Sequence, residues 1–400
     1  MKIAILYESL GRSRGGIEAW VYHAADALKK NKHNVIIVSS QRVIPVDAAP
    51  EGVEIINLLP LKYFPFDRSS FPVAINIQSY KSPLKNILRN VDIVWCRSPF
   101  MAYAASKILI DKKVVFIHAA SYLIYSRSGF NQFKKTCPKN IINFIKILLG
   151  EINFVFIKRY ELLALRSCIN VYLSKSRKIE TLEFYGLEDL ANKFFVIPPG
   201  VDAQRFCPND NVDNLDNILK LICVCRLVSD KNIQCVIKSL HLLKLKGLQR
   251  IHLAVVGEGP FEKELRELVS EYQLTKQVTF AGRQSNVEDW YNQAHVFVLP
   301  SLYEGFGSVY IEAMASGLPC IAIKSQHGKY SVATDEIIDN GVNGWLMSEN
   351  SPKELSDIIL NICNNPEQIK LYGAAARYKA VNVFSWGEVV EKMINLNKRS

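Results

Sequence analysis

The sequence predicts an α/β protein of two similar domains, each a parallel sheet covered by helices. Three observations lead there. At 400 residues the chain is longer than one ordinary hydrophobic core serves. Apolar strand-like runs alternate with amphipathic helical stretches along most of its length. That alternation pauses once, in a polar Asn/Asp-rich segment at 208–217, and then starts again.

The bulk numbers bound the class. With 49% hydrophobic and 22% charged residues the chain is globular, not disordered. Nine cysteines are scattered without a CxxC pair or a Cys/His cluster at metal spacing, which predicts reduced thiols and a cytoplasmic protein. The chain starts directly with an apolar strand, and no signal peptide is expected. A net charge of +11 calls for an anionic partner without choosing among phosphate, nucleic acid and membrane surface.

In the first half, IAILYES is followed by GGIEAWVYHAADALKK, whose Ile17, Val21, Ala24 and Leu28 share one helical face. NVIIVSS, VEIINLL, VDIVWCRS, VVFIHAA and VYLS are further strand candidates, with helices such as FMAYAASKILI between them. A helix through Leu187 and a short strand in FFVIPPGVD close this half. The second half repeats the rhythm with LKLICVCRL, KNIQCVIKSLHLL, IHLAVVGEGP, KELRELVSEY and VTFAGR. Strand–helix–strand repetition of this kind implies right-handed crossovers and parallel sheets.

The most informative stretch is Tyr303 to Cys320, YEGFGSVYIEAMASGLPC, after the apolar run HVFVLP. It reads as strand, tight glycine loop, helix and strand, with Gly317 placed to close the helix. Glu304 falls in the loop and Glu312 in the helix. Gly305 and Gly307 let backbone N–H groups approach a ligand, and a helix start favours an anion. Two carboxylates beside an anion hole suit a polyol joined to a phosphate; a solvated loop glutamate plus a helix-surface glutamate is the plain alternative.

Five smaller constellations lie at predicted strand ends. Gly15 and Gly16 open the first helix. Arg226 ends LICVC and Lys231 starts the next helix, so two cations stand where a diphosphate would be neutralised, unless both merely line a solvated loop. Gly257-Glu258-Gly259-Pro260 follows IHLAVV and opens like a dinucleotide fingerprint, but its third glycine is missing. His118 ends KVVFI, where it either donates to a sugar hydroxyl or is a satisfied structural residue. Pro198-Pro199-Gly200-Val201-Asp202 forms a rigid turn.

Residues 134–159 carry Lys134, Lys135, Lys139, Lys146, Lys158 and Arg159 around INFIKILL and INFVFI. Lys146 and Glu151 interrupt the apolar run, which excludes a transmembrane helix. Two readings stay open: a basic amphipathic stretch in contact with an anionic membrane, or core-facing helices with solvated lysines.

With these residues in view, the chain resembles the GT-B glycosyltransferases, and among them the retaining, nucleotide-sugar-dependent glycosyltransferase family 4. The resemblance runs from GGIE to FSWGEVVEKM. Its most specific part is EGFGSVYIEAMASGLP, which matches an E-x7-E signature; CRLVSDKN matches the Arg-and-Lys phosphate motif, VGEGP the glycine turn, and IPPGVD the passage into the second domain. The resemblance implies an acceptor-binding Rossmann-like domain over 1–203 plus 384–400 and a nucleotide-sugar-binding one over 204–383. These face each other across a cleft, with a C-terminal helix crossing back to the first.

The resemblance also implies roles. Arg226 and Lys231 hold the donor diphosphate, helped by backbone amides near Gly16 and Phe306–Gly307, with Gly15, Gly257 and Gly305 also among the donor-binding residues. Glu304 binds the transferred sugar, Glu312 the ribose, and Arg283 lies near the base. His118 and Glu304 are the catalytic pair. The donor is a UDP- or GDP-sugar, with no metal and no cofactor, and the acceptor is a glycan or lipid-linked molecule of bacterial surface polysaccharide synthesis. Peripheral contact at the inner face of the plasma membrane through 134–159 fits this picture, and nucleic acid does not. Three positions depart from the family pattern: Cys225 and Asn232 stand where glycine is usual, and SQHGKYSVATDEII is longer than the usual link.

Two other readings compete. A NAD-type Rossmann oxidoreductase or epimerase rests on GEGP, but leaves Glu304, Glu312 and the Arg–Lys pair without a role. A nucleic-acid or anionic-membrane binder rests on charge alone.

Overall fold

The computed structural model describes residues 1–7, 16–39, 48–58, 77–109, 114–118, 155–209 and 218–396. The chain divides into two compact units, Met1–Pro198 with Trp386–Ser400, and Pro199–Ser385. The expected boundaries lay at 203/204 and 383/384.

The first unit holds a seven-stranded parallel sheet of β1 (Lys2–Leu6), β2 (Asn34–Ser39), β3 (Glu54–Asn57), β4 (Ile93–Cys96), β5 (Val114–His118), β6 (Ile169–Tyr172) and β7 (Phe194–Val196). Their order is β3-β2-β1-β4-β5-β6-β7. Strands covered by helices on both faces need apolar side chains in both directions, and KIAIL, VIIV, IVWC and VVFI provide them. On the helix Gly16–Lys30, Val21, Ala24 and Leu28 are all fully buried, as their spacing predicts. The helix Pro99–Ile108 starts on Ser98, whose hydroxyl accepts from the Met101 N–H at 3.4 Å, with Pro99 in the first turn, where its missing N–H costs nothing.

The C-terminal helix Trp386–Leu396 belongs to this unit and buries Val389, Val390, Met393 and Ile394. Its Trp386 meets Trp20 edge-on at 5.9 Å and stacks on His23 at 5.8 Å. The crossing back to the first domain is therefore seen as expected, held by aromatic area.

The second unit holds six parallel strands: β8 (Leu219–Val224), β9 (Ile251–Val256), β10 (Val278–Gly282), β11 (Val296–Val298), β12 (Cys320–Ile323) and β13 (Gly344–Met347), in the order β10-β9-β8-β11-β12-β13. Strand order reverses between β8 and β11 here, and between β1 and β4 in the first sheet. Helices leave toward opposite faces on either side of such a point, which opens a crevice outside the carboxyl ends of the two strands.

Local boundaries differ from expectation in three places. β8 ends at Val224, so Arg226 lies in the following loop, not on the strand. Lys231 closes a short 3-10 turn, Ser229–Lys231, and the helix begins only at Ile233. The helix expected through Leu187 stops at Tyr185, because Gly186 takes the left-handed conformation (φ 60°) that ends it. Among the described residues no helix is long and apolar enough to cross a membrane. Residues 210–217 of the expected linker and 134–154 of the basic stretch lie outside the described residues.

Candidate functional site

The second unit gathers its reactive groups at the reversal point. β8 and β11 are adjacent, with Val296 paired to Leu221 and Phe297 to Ile222, so the loops that follow them run side by side. The Leu302 N–H donates to the Asp230 carbonyl at 2.8 Å, and the Asn232 amide donates to the Pro300 carbonyl at 3.0 Å. These bonds fix the Arg226–Lys231 loop against the loop that carries Glu304.

The consequence is an ion pair between Lys231 Nζ and Glu304 Oε1, with the two side chains 18% and 13% exposed. Ser301 Oγ lies 3.3 Å from the same carboxylate oxygen, and the Glu304 N–H donates to the Ser331 carbonyl at 2.9 Å. A partly desolvated pair of this kind gains more from its Coulomb attraction than a surface pair would.

Asn232 explains one departure noted in the sequence. Its φ is 57°, a conformation that glycine adopts freely and asparagine tolerates better than most residues. The side chain is buried and holds both the Pro300 carbonyl and Asn350 Oδ1, the latter at 2.8 Å. Asparagine thus supplies the backbone shape of a glycine and two bonds that a glycine lacks. At the other departure, burial pushes the Cys225 thiol up to about 12; Lys231 opposes that shift and Glu304 adds to it, so a neutral thiol borders the ion pair.

The glycines of VGEGP have a packing reason. Gly257 has φ 134°, and a Cβ on it would lie 1.9 Å from the Cys225 carbonyl oxygen. A Cβ on Gly259 would lie 2.2 Å from the Leu227 carbonyl oxygen. Bonds from the Leu227 N–H to the Glu258 carbonyl (3.0 Å) and from the Phe261 N–H to the Leu227 carbonyl (3.0 Å) hold the two loops at this distance. Backbone meets backbone, and only glycine fits.

Glu312 sits on the helix Ser308–Ala315, which starts at Gly307 in a left-handed conformation (φ 94°) with no side-chain cap. The Tyr310 N–H already donates to the Gly307 carbonyl at 3.0 Å, so the N–H groups before it are the ones this end offers to an anion. The Tyr291 hydroxyl lies 3.3 Å from Glu312 Oε2 and 3.4 Å from the Val309 carbonyl. Burial raises the Glu312 carboxyl from 4.5 to about 7; the Tyr291 bond and the Arg205 charge oppose that shift, and Glu288 adds to it. Arg205 is itself engaged, donating to Glu288 Oε2 from two nitrogens at 3.0 and 2.8 Å. Phe306 is buried, with Phe384 at 5.9 Å.

Lys231, Glu304, Gly305, Phe306, Gly307 and Glu312 thus come together around the ends of β8 and β11. Arg226 is exposed in the same loop as Lys231. Arg283 lies farther out, after β10, in an exposed pair with Glu258 at 3.8 Å. Gly16 is the first residue of the helix Gly16–Lys30, and Gly15 lies outside the described residues.

His118, in the first unit, ends β5 and is 2% exposed. Its Nε2 is 3.1 Å from Asn170 Oδ1, and its ring stacks on Tyr172 at 4.4 Å with an interplanar angle of 4°. Burial drives its pKa down to about 3; the Asn170 bond opposes the shift and the Arg97 charge adds to it, so the ring is neutral at physiological pH. Sequence reasoning did not single out Tyr291, Ser301, Arg205 or Asn170. None stands in a spaced motif; Tyr291, Arg205 and Asn170 are brought in by the fold from other segments, while Ser301 lies three residues before Glu304 in the same loop.

Comparison with known proteins agrees with this architecture. The family model described as Glycosyltransferase Family 4 matches residues 14–205, and the one described as Glycosyl transferases group 1 matches residues 211–379. The mannosylfructose-phosphate synthase of Agrobacterium fabrum is 30% identical over 268 residues, covering 62% of this chain and 56% of that protein's own length. The GDP-mannose-dependent alpha-mannosyltransferase of Corynebacterium glutamicum is 26% identical over 363 residues, 87% of this chain and 76% of that protein. In fold, a Rickettsia africae glycosyltransferase superposes with a TM-score of 0.74 at 22% identity, covering 99% of this chain and 97% of that one. Anabaena HepE in complex with UDP and glucose gives 0.72 at 17% identity, with all of both chains covered. The two-sheet α/β architecture is that of the GT-B glycosyltransferases.

Proposed function

The chain belongs to the glycosyltransferases, family 4 in its first half and group 1 in its second, and from that premise we propose that it moves a sugar from a nucleotide-sugar donor to a glycan or lipid-linked acceptor of bacterial surface polysaccharide synthesis, with retention of anomeric configuration. The observation that carries the reading is the Lys231–Glu304 pair at the β8–β11 reversal, one helix start away from Glu312.

The chemistry asks for stabilisation of a departing nucleoside diphosphate. Arg226 and Lys231 neutralise it, and the uncapped start of Ser308–Ala315 adds N–H donors. Lys231 turns from Glu304 to the phosphate when donor binds, which frees the Glu304 carboxylate to accept from sugar hydroxyls. Glu312 accepts from the ribose, Arg283 lies near the base, and neutral His118, whose one N–H is given to Asn170 Oδ1, accepts through Nδ1 from a hydroxyl of the transferred sugar. Fixed charge of this kind is often the largest single contribution to catalysis. Departure and attack then occur on the same face of the sugar, without a covalent adduct.

Two cations at the diphosphate support transfer without a divalent metal. The names of relatives and structural neighbours, which include GDP-mannose-dependent enzymes and a UDP complex, support a GDP- or UDP-sugar as donor. The test is a thermal-shift panel of nucleotide sugars, followed by transfer of the stabilising donor's sugar in EDTA. Stabilisation by one nucleotide sugar and unchanged turnover in EDTA are expected. Stabilisation by NAD(H) alone would overturn the reading, and strong metal dependence would overturn the metal-free part. Peripheral membrane contact through 134–159 predicts flotation with anionic liposomes, and its absence there removes that contact.

A further inference from the structure

The first unit buries a cation that the reaction described above does not use. Arg97 follows β4 and donates its backbone N–H to the Leu6 carbonyl at 3.0 Å, so its side chain leaves the sheet where β1 and β4 end, at the reversal of strand order. It is 7% exposed, yet Nε and one terminal guanidinium nitrogen have no hydrogen-bond partner. Its Cζ stands 5.0 Å from the centre of the Trp20 ring. Trp95, two residues earlier and therefore on the same face of β4, packs on Trp20 at 6.3 Å. The indole nitrogens of Trp20 and Trp95 are buried without acceptors as well.

All these groups are donors only, and no described carboxylate forms an ion pair with Arg97. Tyr7 and Glu18 favour its charged form from a distance, but burial outweighs them and brings the guanidinium down to about 10. A charge held out of water without a partner is costly, so such a site is completed by an anion. Arginine beside indole N–H groups matches the planar oxygens of a carboxylate or the face of a phosphate. In an open parallel sheet the reversal point is also where a ligand enters.

We propose that Arg97, backed by Trp20 and Trp95, is an oxyanion subsite that takes the negatively charged group of the acceptor, a sugar carboxylate or a phosphate. Identifying the occupant with the acceptor rests on the transferase reading; the anion site itself does not. Tryptophan fluorescence reports on it directly, since Trp20 touches the guanidinium.

The experiment titrates inorganic phosphate and, separately, glucuronate into the full chain, in wild type and in a Lys231→Ala background that removes the cation paired with Glu304. A saturable signal is expected in both backgrounds, weakened about tenfold or more by Arg97→Gln and only partly by Arg97→Lys. Tighter glucuronate assigns an acidic sugar, and tighter phosphate assigns a phosphorylated acceptor. No saturation by either anion in wild type, or equal affinity in wild type and the Arg97 variants, overturns the proposal; if Arg97→Gln does not fold, the wild-type and Arg97→Lys titrations decide alone. Saturable anion binding by a protein that transfers no sugar would remove the functional reading and leave this site standing.

Discussion

Glu312→Gln isolates one carboxyl whose ionisation the fold opposes. The carboxyl titrates at about 7 in the folded chain against 4.5 when free, burial being the first cause. The folded state then binds more protons than the unfolded state between those two values, so this group subtracts from stability as pH rises through the window. Below pH 4.5 the penalty vanishes. It reaches about 1 kcal/mol at pH 5, about 2 at pH 6 and about 3 at pH 8. Glutamine keeps the shape and the acceptor oxygen for the Tyr291 hydroxyl but cannot ionise. The variant is therefore expected to gain on the wild type with rising pH, by up to about 3 kcal/mol at pH 8, and to match it near pH 4.5. Urea unfolding of both proteins at pH 5, 6, 7 and 8 measures the difference, and subtraction cancels other titrating groups such as His118. A difference that does not change with pH would refute the assignment of burial as the dominant cause.

Further expectations follow from the same unit. Glu304→Ala and Lys231→Ala should each lower the turnover of sugar transfer about a hundredfold, roughly 3 kcal/mol of barrier, in proteins with unchanged circular dichroism; normal turnover in both would remove the site assignment. Gly257→Ala places a methyl 1.9 Å from the Cys225 carbonyl oxygen at φ 134°, and should cost at least about 3 kcal/mol in unfolding free energy; a smaller loss would mean that the two loops part easily. Asn232→Gly loses two hydrogen bonds but keeps the backbone shape, whereas Asn232→Ala loses both bonds and adds left-handed strain. The alanine variant should be the less stable by about 1 kcal/mol, and equal denaturation midpoints would show that backbone strain contributes little.

Sequence order by itself determined the two sheets. Runs such as KIAIL, VVFI and IHLAVV are apolar on both faces, and helical periodicity falls between them, so parallel strands under helices are the one arrangement that buries them. The loop–helix pattern around Glu304 and Glu312 was legible for the same local reason: glycines and a helix start are read from neighbours in the chain. Tertiary structure alone decided what those side chains meet. Lys231 and Glu304 are 73 residues apart and pair because β8 and β11 are adjacent at the reversal of strand order. Gly257 is expected from the sequence among the donor-binding residues, and the fold adds a packing requirement on it and on Gly259 from a loop more than thirty residues earlier pressing on their backbone. Asn232 and Arg97 look like an odd substitution and an ordinary arginine in the sequence. One gains meaning from a left-handed φ and a buried carbonyl, the other from burial without a counter-charge, and both are properties of distance in space that no spacing along the chain encodes.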